Sequence, residues 1–90
     1  MPIIKFTRAL KRFYPDLDTL QLEAQTIAEI IDKVESDYPG LSDYIVNERG
    51  SLRKHVNIFI ANTLISDREN LSDRVEPNDE IYIMQALSGG

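Results

Sequence analysis

Residues 26–40, "TIAEIIDKVESDYPG", constrain the fold more than any other stretch of the chain. Thr26 and Glu29 have the T-x-x-E spacing of a capping box, in which each side chain satisfies a backbone donor left free at a helix start. Ile27, Ile30, Ile31, Val34 and Tyr38 then recur at helical spacing and form one apolar stripe. Glu29, Asp32, Lys33, Glu35 and Asp37 occupy the other side, and Pro39-Gly40 ends the helix. A helix with a single apolar stripe gains most of its stability by burying that stripe against a second layer.

The flanking segments supply that layer, because their period is two rather than 3.6. Ile3 to Thr7 alternates, with Lys5 between Ile4 and Phe6. A polar turn at "YPDLD" follows, with Pro15 and Asp16 as turn formers. In "TLQLEA", Leu20, Leu22 and Ala24 fall on one side and Gln21, Glu23 and Gln25 on the other, so the first two strands form a hairpin. After the helix, "LSDYI" adds a helical turn and "NERGS" is a loop. In "HVNIFIA", Val56, Ile58 and Ile60 share one face and Asn57, Phe59 and Ala61 the other. "SDRENLSDRVEPNDE" is a long connection with room for one helical turn. In "EIYIMQAL", Ile81 and Ile83 point inward and Tyr82 and Met84 outward. The order strand, strand, helix, strand, strand implies a two-layer α+β domain with one helix covering one sheet face.

Ninety residues make one domain, with roughly 60–65% of the unfolded chain's surface buried in one modest core. No apolar run approaches the ~20 residues of a membrane span. The start "MPIIKF" lacks the basic flank and long apolar stretch of a signal peptide, so a cytoplasmic protein is expected. There is no cysteine, which excludes disulfides, zinc-thiolate sites and a cysteine nucleophile. A net charge of −5 argues against general nucleic-acid binding and suits steering to a basic partner.

The chain has four glycines, and two of them are its last two residues, in "ALSGG". A frayed end or a cloning remnant is the bland explanation. The context argues otherwise. Hairpin, capped helix, "VNIFIAN", "VEPNDEIYIM" and Gly89-Gly90 together resemble the ubiquitin-like β-grasp sulfur carriers of the MoaD/ThiS family. The resemblance in element order covers nearly the whole chain and is most specific over residues 52–62 and 75–90. The extra segment from Leu41 to Arg53 is similar to the molybdopterin-synthase small subunit and the cysteine-synthesis carrier, and "LRKHVNIFIAN" is most similar to the latter. The chain departs from the family pattern at Asn62-Thr63, where carriers often have Asn-Gly or an acidic turn, and at Gln85-Ala86, where many have proline.

The resemblance implies a β-grasp domain over residues 1–87, a mixed sheet of four to five strands, and a flexible tail at 88–90. It implies that the α-carboxylate of Gly90 is adenylated by a ubiquitin-activating-type adenylyltransferase that consumes ATP. A sulfur-transfer enzyme then displaces AMP to leave a thiocarboxylate. The acceptor would be a synthase: a molybdopterin-synthase large subunit or a cysteine-synthase-like enzyme. The body is then a non-catalytic handle with no bound cofactor or metal, and no nucleic-acid or membrane partner. Leu87, Ser88 and Gly89 would thread the carboxylate into the partner, since Leu87 to Gly90 fully extended reach roughly 13 Å. Glycine lacks Cβ, so the backbone can pass a narrow channel and lie close to a nucleotide. The alternative is a protein modifier joined through Gly90 to lysines. A third class is a plain interaction domain with an inert tail.

Phe59, Tyr82 and Met84 are the residues of interest on the body. If Ile58, Ile60, Ile81 and Ile83 face the helix, these three cluster on the open face of the sheet. Such a patch on neighbouring strands is expected to dock a partner. His55, the only histidine, sits beside Arg53 and Lys54 and has the chemistry to touch a phosphate or an acidic partner, but a solvated strand-edge residue is the more common case and the reading taken. Arg8, Lys11 and Arg12 form a small basic cluster that reads as surface charge. No ligand-pair or triad spacing supports metal or nucleophilic catalysis.

Overall fold

The computed structural model describes residues 1–85. The elements in order are β1 (Ile3–Phe6), α1 (Arg8–Lys11), β2 (Leu20–Gln21), α2 (Ile27–Asp37), a 3₁₀ turn at Leu41–Tyr44, β3 (Val56–Ile60), β4 (Thr63–Leu64) and β5 (Glu80–Gln85). The strands form one sheet in the order β2-β1-β5-β3-β4. β1 and β5 pair in parallel at its centre, and the other three pairs are antiparallel. The sheet is therefore mixed and five-stranded, with α2 on one face, as the ubiquitin-like reading requires.

The stripe of α2 forms one side of the core. Ile27, Ile30, Ile31 and Val34 are buried against Ile4, Phe6, Val56, Ile58, Ile81 and Ile83 of the sheet. The start of α2 is satisfied from several directions. Glu29 N–H donates to Thr26 Oγ1 at 3.3 Å, as the capping box predicts. The reciprocal bond reaches one residue further back than expected: Glu29 Oε1 accepts from Gln25 N–H at 3.0 Å. Backbone carbonyls of the 65–79 connection take the remaining donors, Asp73 from Ile27 N–H and Leu71 from Ala28 N–H. Few donors of the first turn are left to water.

At the other end, Gly40 takes φ +91° and turns the chain into the 3₁₀ segment. The Glu35 carboxylate accepts from Gly40 N–H at 2.8 Å and Ser42 N–H at 2.9 Å. These two donors, Gly40 first, hold its carboxyl below the usual glutamate range.

Two elements differ from the sequence reading, and a third agrees with it in an irregular form. The second strand is expected to run through "TLQLEA", but only Leu20 and Gln21 join the ladder. The reason is its partner's length. Ile3 pairs with Gln21, and Leu22 N–H reaches Pro2 O, after which β1 has no more residues to offer. Leu20, Leu22 and Ala24 still pack on the core side, as the alternation requires. The basic cluster Arg8–Arg12 is helical, because Ala9 and Leu10 between the charges are buried. The 66–80 connection has no helix among the described residues but does hold the one helical turn expected, closed by Leu71 N–H donating to Asp67 O at 3.1 Å. Two aspartates knot it. Asp67 accepts from the N–H groups of Glu69, Asn70 and Ser72, and Asp73 from those of Ser66 and Asp67.

Candidate functional site

The open face of the sheet follows from strand register. Ile58 lies opposite Ile83, and Ile60 opposite Ile81; Ile58, Ile81 and Ile83 are fully buried and Ile60 is half-buried against the core. Alternation then turns Asn57, Phe59, Tyr82 and Met84 away from α2. Phe59 pairs directly with Tyr82, and Met84 stands opposite Asn57. The structure thus brings the three expected residues together on one surface. Tyr82 is 39% exposed and Met84 40%. Phe59 is half-buried because it has a neighbour on both sides.

That second neighbour is Leu64, which the sequence reading did not single out. The chain reverses after Ile60 through a two-residue connection, Ala61-Asn62, with Ala61 at φ +57°. This sets Thr63 opposite Ile60 and Leu64 opposite Phe59. Leu64 is 50% exposed, and it completes a row Leu64–Phe59–Tyr82–Lys5 across four strands. The signal was present in "IANTLI": a turn former at Asn62, followed by a polar, apolar, apolar run that puts Leu64 out and Ile65 in. The row ends in charge, where Lys5 Nζ pairs with Glu80 Oε1 at 3.2 Å. An apolar centre with a charged edge is the anatomy of a docking patch.

The described carboxylates with depressed pKa serve structure elsewhere: Glu35 at the end of α2, and Asp67, held low chiefly by Asn70 N–H and the Ser72 hydroxyl. Tyr14 is raised, first by burial and then by neighbouring Tyr44, Glu35 and Asp43. Its hydroxyl donates to Pro39 O, a structural bond. Among the described residues no group of three or more His, Cys, Asp or Glu side chains is placed to hold a metal ion. None of the described helices is long and apolar enough to cross a membrane.

His55 is exposed and immediately precedes β3, with Arg53 and Lys54 beside it. Leu87, Ser88, Gly89 and Gly90, expected to thread and react, lie outside the described residues, as does the proposed boundary at 87.

Comparison with known proteins agrees with this architecture. No curated protein matches the sequence significantly. Among solved structures, the chain is similar to that of the Amycolatopsis orientalis BexX/CysO complex, with 22% identity, a TM-score of 0.85 and 100% of both chains covered. It is similar to small archaeal modifier protein 1 from Methanosarcina acetivorans, with 24% identity and a TM-score of 0.77, covering 99% of this chain and 95% of that one. Sulfolobus solfataricus Urm1 matches at 19% identity and a TM-score of 0.69, over 93% of this chain and 99% of that one. At these identities the likeness establishes the fold. The sequence itself matches the ThiS family over residues 4–90, a span that begins in β1 and includes Gly89 and Gly90. The chain belongs to the ThiS family of ubiquitin-like β-grasp proteins.

Proposed function

We propose that this protein is a sulfur carrier whose reacting group is the α-carboxylate of Gly90. The observation that carries the reading is the family match extending through Gly89-Gly90. A carboxylate is a poor acyl donor, so a partner must activate it. The carboxylate oxygen attacks the α-phosphorus of ATP and pyrophosphate leaves, giving an acyl-adenylate. Hydrosulfide then attacks the carbonyl carbon, the bond to the AMP oxygen breaks, AMP leaves with that electron pair, and loss of the sulfur-borne proton leaves a thiocarboxylate. The patch formed by Phe59, Tyr82, Met84 and Leu64 docks the adenylating enzyme and the acceptor, while the residues after Gln85 deliver the carboxylate. That a CysO of the same fold was solved in complex with BexX supports docking of such a body on a partner protein.

The same first step serves a modifier, and the likeness to a small archaeal modifier protein favours that as the second reading. There the acyl-adenylate ends in an amide with a lysine. Intact mass separates the two after incubation with the adenylating enzyme, ATP and a sulfur donor. The carrier reading expects one oxygen exchanged for sulfur, confined to the C-terminal peptide, and abolished by deleting Gly90 or adding one residue after it. Equal modification of the extended protein would refute it, and adducts on lysines of target proteins would establish the modifier.

A further inference from the structure

The sheet topology gathers basic residues from distant parts of the sequence around the end of β5. β1 runs parallel to β5 and ends at Phe6 opposite Ile83; Thr7 bonds β5 twice, donating its N–H to Ile83 O and accepting Gln85 N–H at Oγ1. Arg8, Lys11 and Arg12 follow at once on α1, all exposed. On the other flank β3 begins at Val56, opposite Gln85, so Arg53, Lys54 and His55 precede it at the same end. Arg68 completes this flank: its Nη2 donates to Arg53 O at 2.7 Å and Val56 O at 3.0 Å, and its Nη1 to Asn57 Oδ1.

Six of the chain's ten lysines and arginines therefore lie around the Gln85 end of β5. None forms an ion pair among the described residues, where the one such pair is Lys5–Glu80. Even Asp43, nearby, offers Arg53 Nε its backbone carbonyl. The acidic residues Glu76, Asp79 and Glu80 sit at the opposite end of β5. The strand is roughly 17 Å long from Glu80 to Gln85 at ~3.3 Å per residue. That is about twice the Debye length of ~8 Å at physiological salt. The acidic residues at the far end of β5 are therefore largely screened from the Gln85 end.

We propose that this basic collar docks against an acidic protein surface rimming the entrance that receives the residues after Gln85. The inference rests on the carrier reading and reverses, for this end of the molecule, the sign of partner that the net charge implies. The collar acts in diffusional encounter, orienting the chain end toward the entrance before the apolar face makes contact.

The test is stopped-flow association of the full chain with its adenylating enzyme. It is run without nucleotide, so that nucleotide phosphates contribute nothing. Two double variants have the same net charge of −7, which is −5 less two. Lys11→Gln/Lys54→Gln removes exposed collar charges whose side chains make no hydrogen bond in the structure; Lys33→Gln/Arg74→Gln removes the charge of Lys33, in the second half of α2, whose Nζ donates to Glu23 O, and that of Arg74, which bridges to Thr26. Wild-type kon should fall by about tenfold or more between ~0.05 M and ~0.5 M salt. The collar variant should lose roughly three- to tenfold in kon at low salt, with a flatter salt dependence and little change in koff. The control variant should stay within about twofold of wild type. Equal kon for the two variants, or a salt-independent wild type, overturns the collar. The mass assay runs in parallel. Sulfur exchange with unchanged kon in the collar variant overturns the collar alone. Absent exchange with the salt dependence intact overturns the carrier reading alone. Absent association overturns both.

Discussion

Ile58→Ala and Met84→Gln separate the two faces of the sheet. Ile58 is fully buried opposite Ile83, beneath α2. Truncating it leaves a cavity that the packed core closes only in part, at a cost of roughly 2–5 kcal/mol. Against a total stability of about 5–15 kcal/mol that is a large fraction. In a domain of this size each kcal/mol shifts Tm by roughly 4–8 °C, so a fall of at least ~8 °C is expected. Met84 is 40% exposed and faces Asn57, and glutamine keeps its length and chain shape. Its replacement should stay within about 0.5 kcal/mol, as surface substitutions usually do. Binding should move the other way: Met84→Gln weakens association with the adenylating enzyme by more than ~1 kcal/mol if Met84 anchors the patch, and Ile58→Ala, titrated well below its melt, binds near wild type. Phe59 is the poorer probe, since it is half-buried and stands opposite both Leu64 and Tyr82, cross-strand positions worth about 0.2–1 kcal/mol each, and both readouts would shift. Calorimetric titration beside a melting curve decides. A destabilised Met84→Gln with a harmless Ile58→Ala would refute the face assignment. Wild-type affinity in both Met84→Gln and Tyr82→Ala would refute docking on the open face.

Gly40→Ala should cost roughly 2–3 kcal/mol in urea melts, because φ is +91° and the added Cβ would meet Tyr14 Oη at 2.9 Å; an unchanged midpoint would sink this account. Ala61→Gly should stabilise by about 0.5–1 kcal/mol, the relief of a left-handed alanine less the greater chain entropy of glycine; a lower midpoint would contradict it. Asp67 and Glu35 both have folded pKa values below their ordinary ones, set by Asn70 and Ser72 for the first and by Gly40 and Ser42 for the second. A depressed carboxyl contributes stability that is complete above its unfolded pKa of about 4 and is lost as pH falls through the lower folded value. Asp67→Asn/Glu35→Gln should therefore flatten the acid limb of stability against pH, and an acid limb identical to wild type would exclude both groups as its source.

The sequence by itself determined the elements whose stability is local. The capped stripe of α2, the inward isoleucines of β3 and β5, and the outward Phe59, Tyr82 and Met84 all follow from spacing along one segment. Side-chain direction there depends only on position within a strand or helix. The diglycine spanned by the family match was equally legible, because Gly89-Gly90 is a feature of the sequence itself. Tertiary structure decided what depends on which segments meet. α1 is helical where four charged or polar neighbours suggested only surface, because Ala9 and Leu10 find the core. β2 stops at Gln21 because β1 runs out beside it. Leu64 joins the patch only because the Ala61-Asn62 reversal sets it against Phe59. Arg8 and Lys54 come to flank the Gln85 end of β5 only because β5 inserts between β1 and β3. Periodicity is a property of consecutive residues and survives in the sequence. Strand order and register are set by burying one common core, and no single segment contains that information.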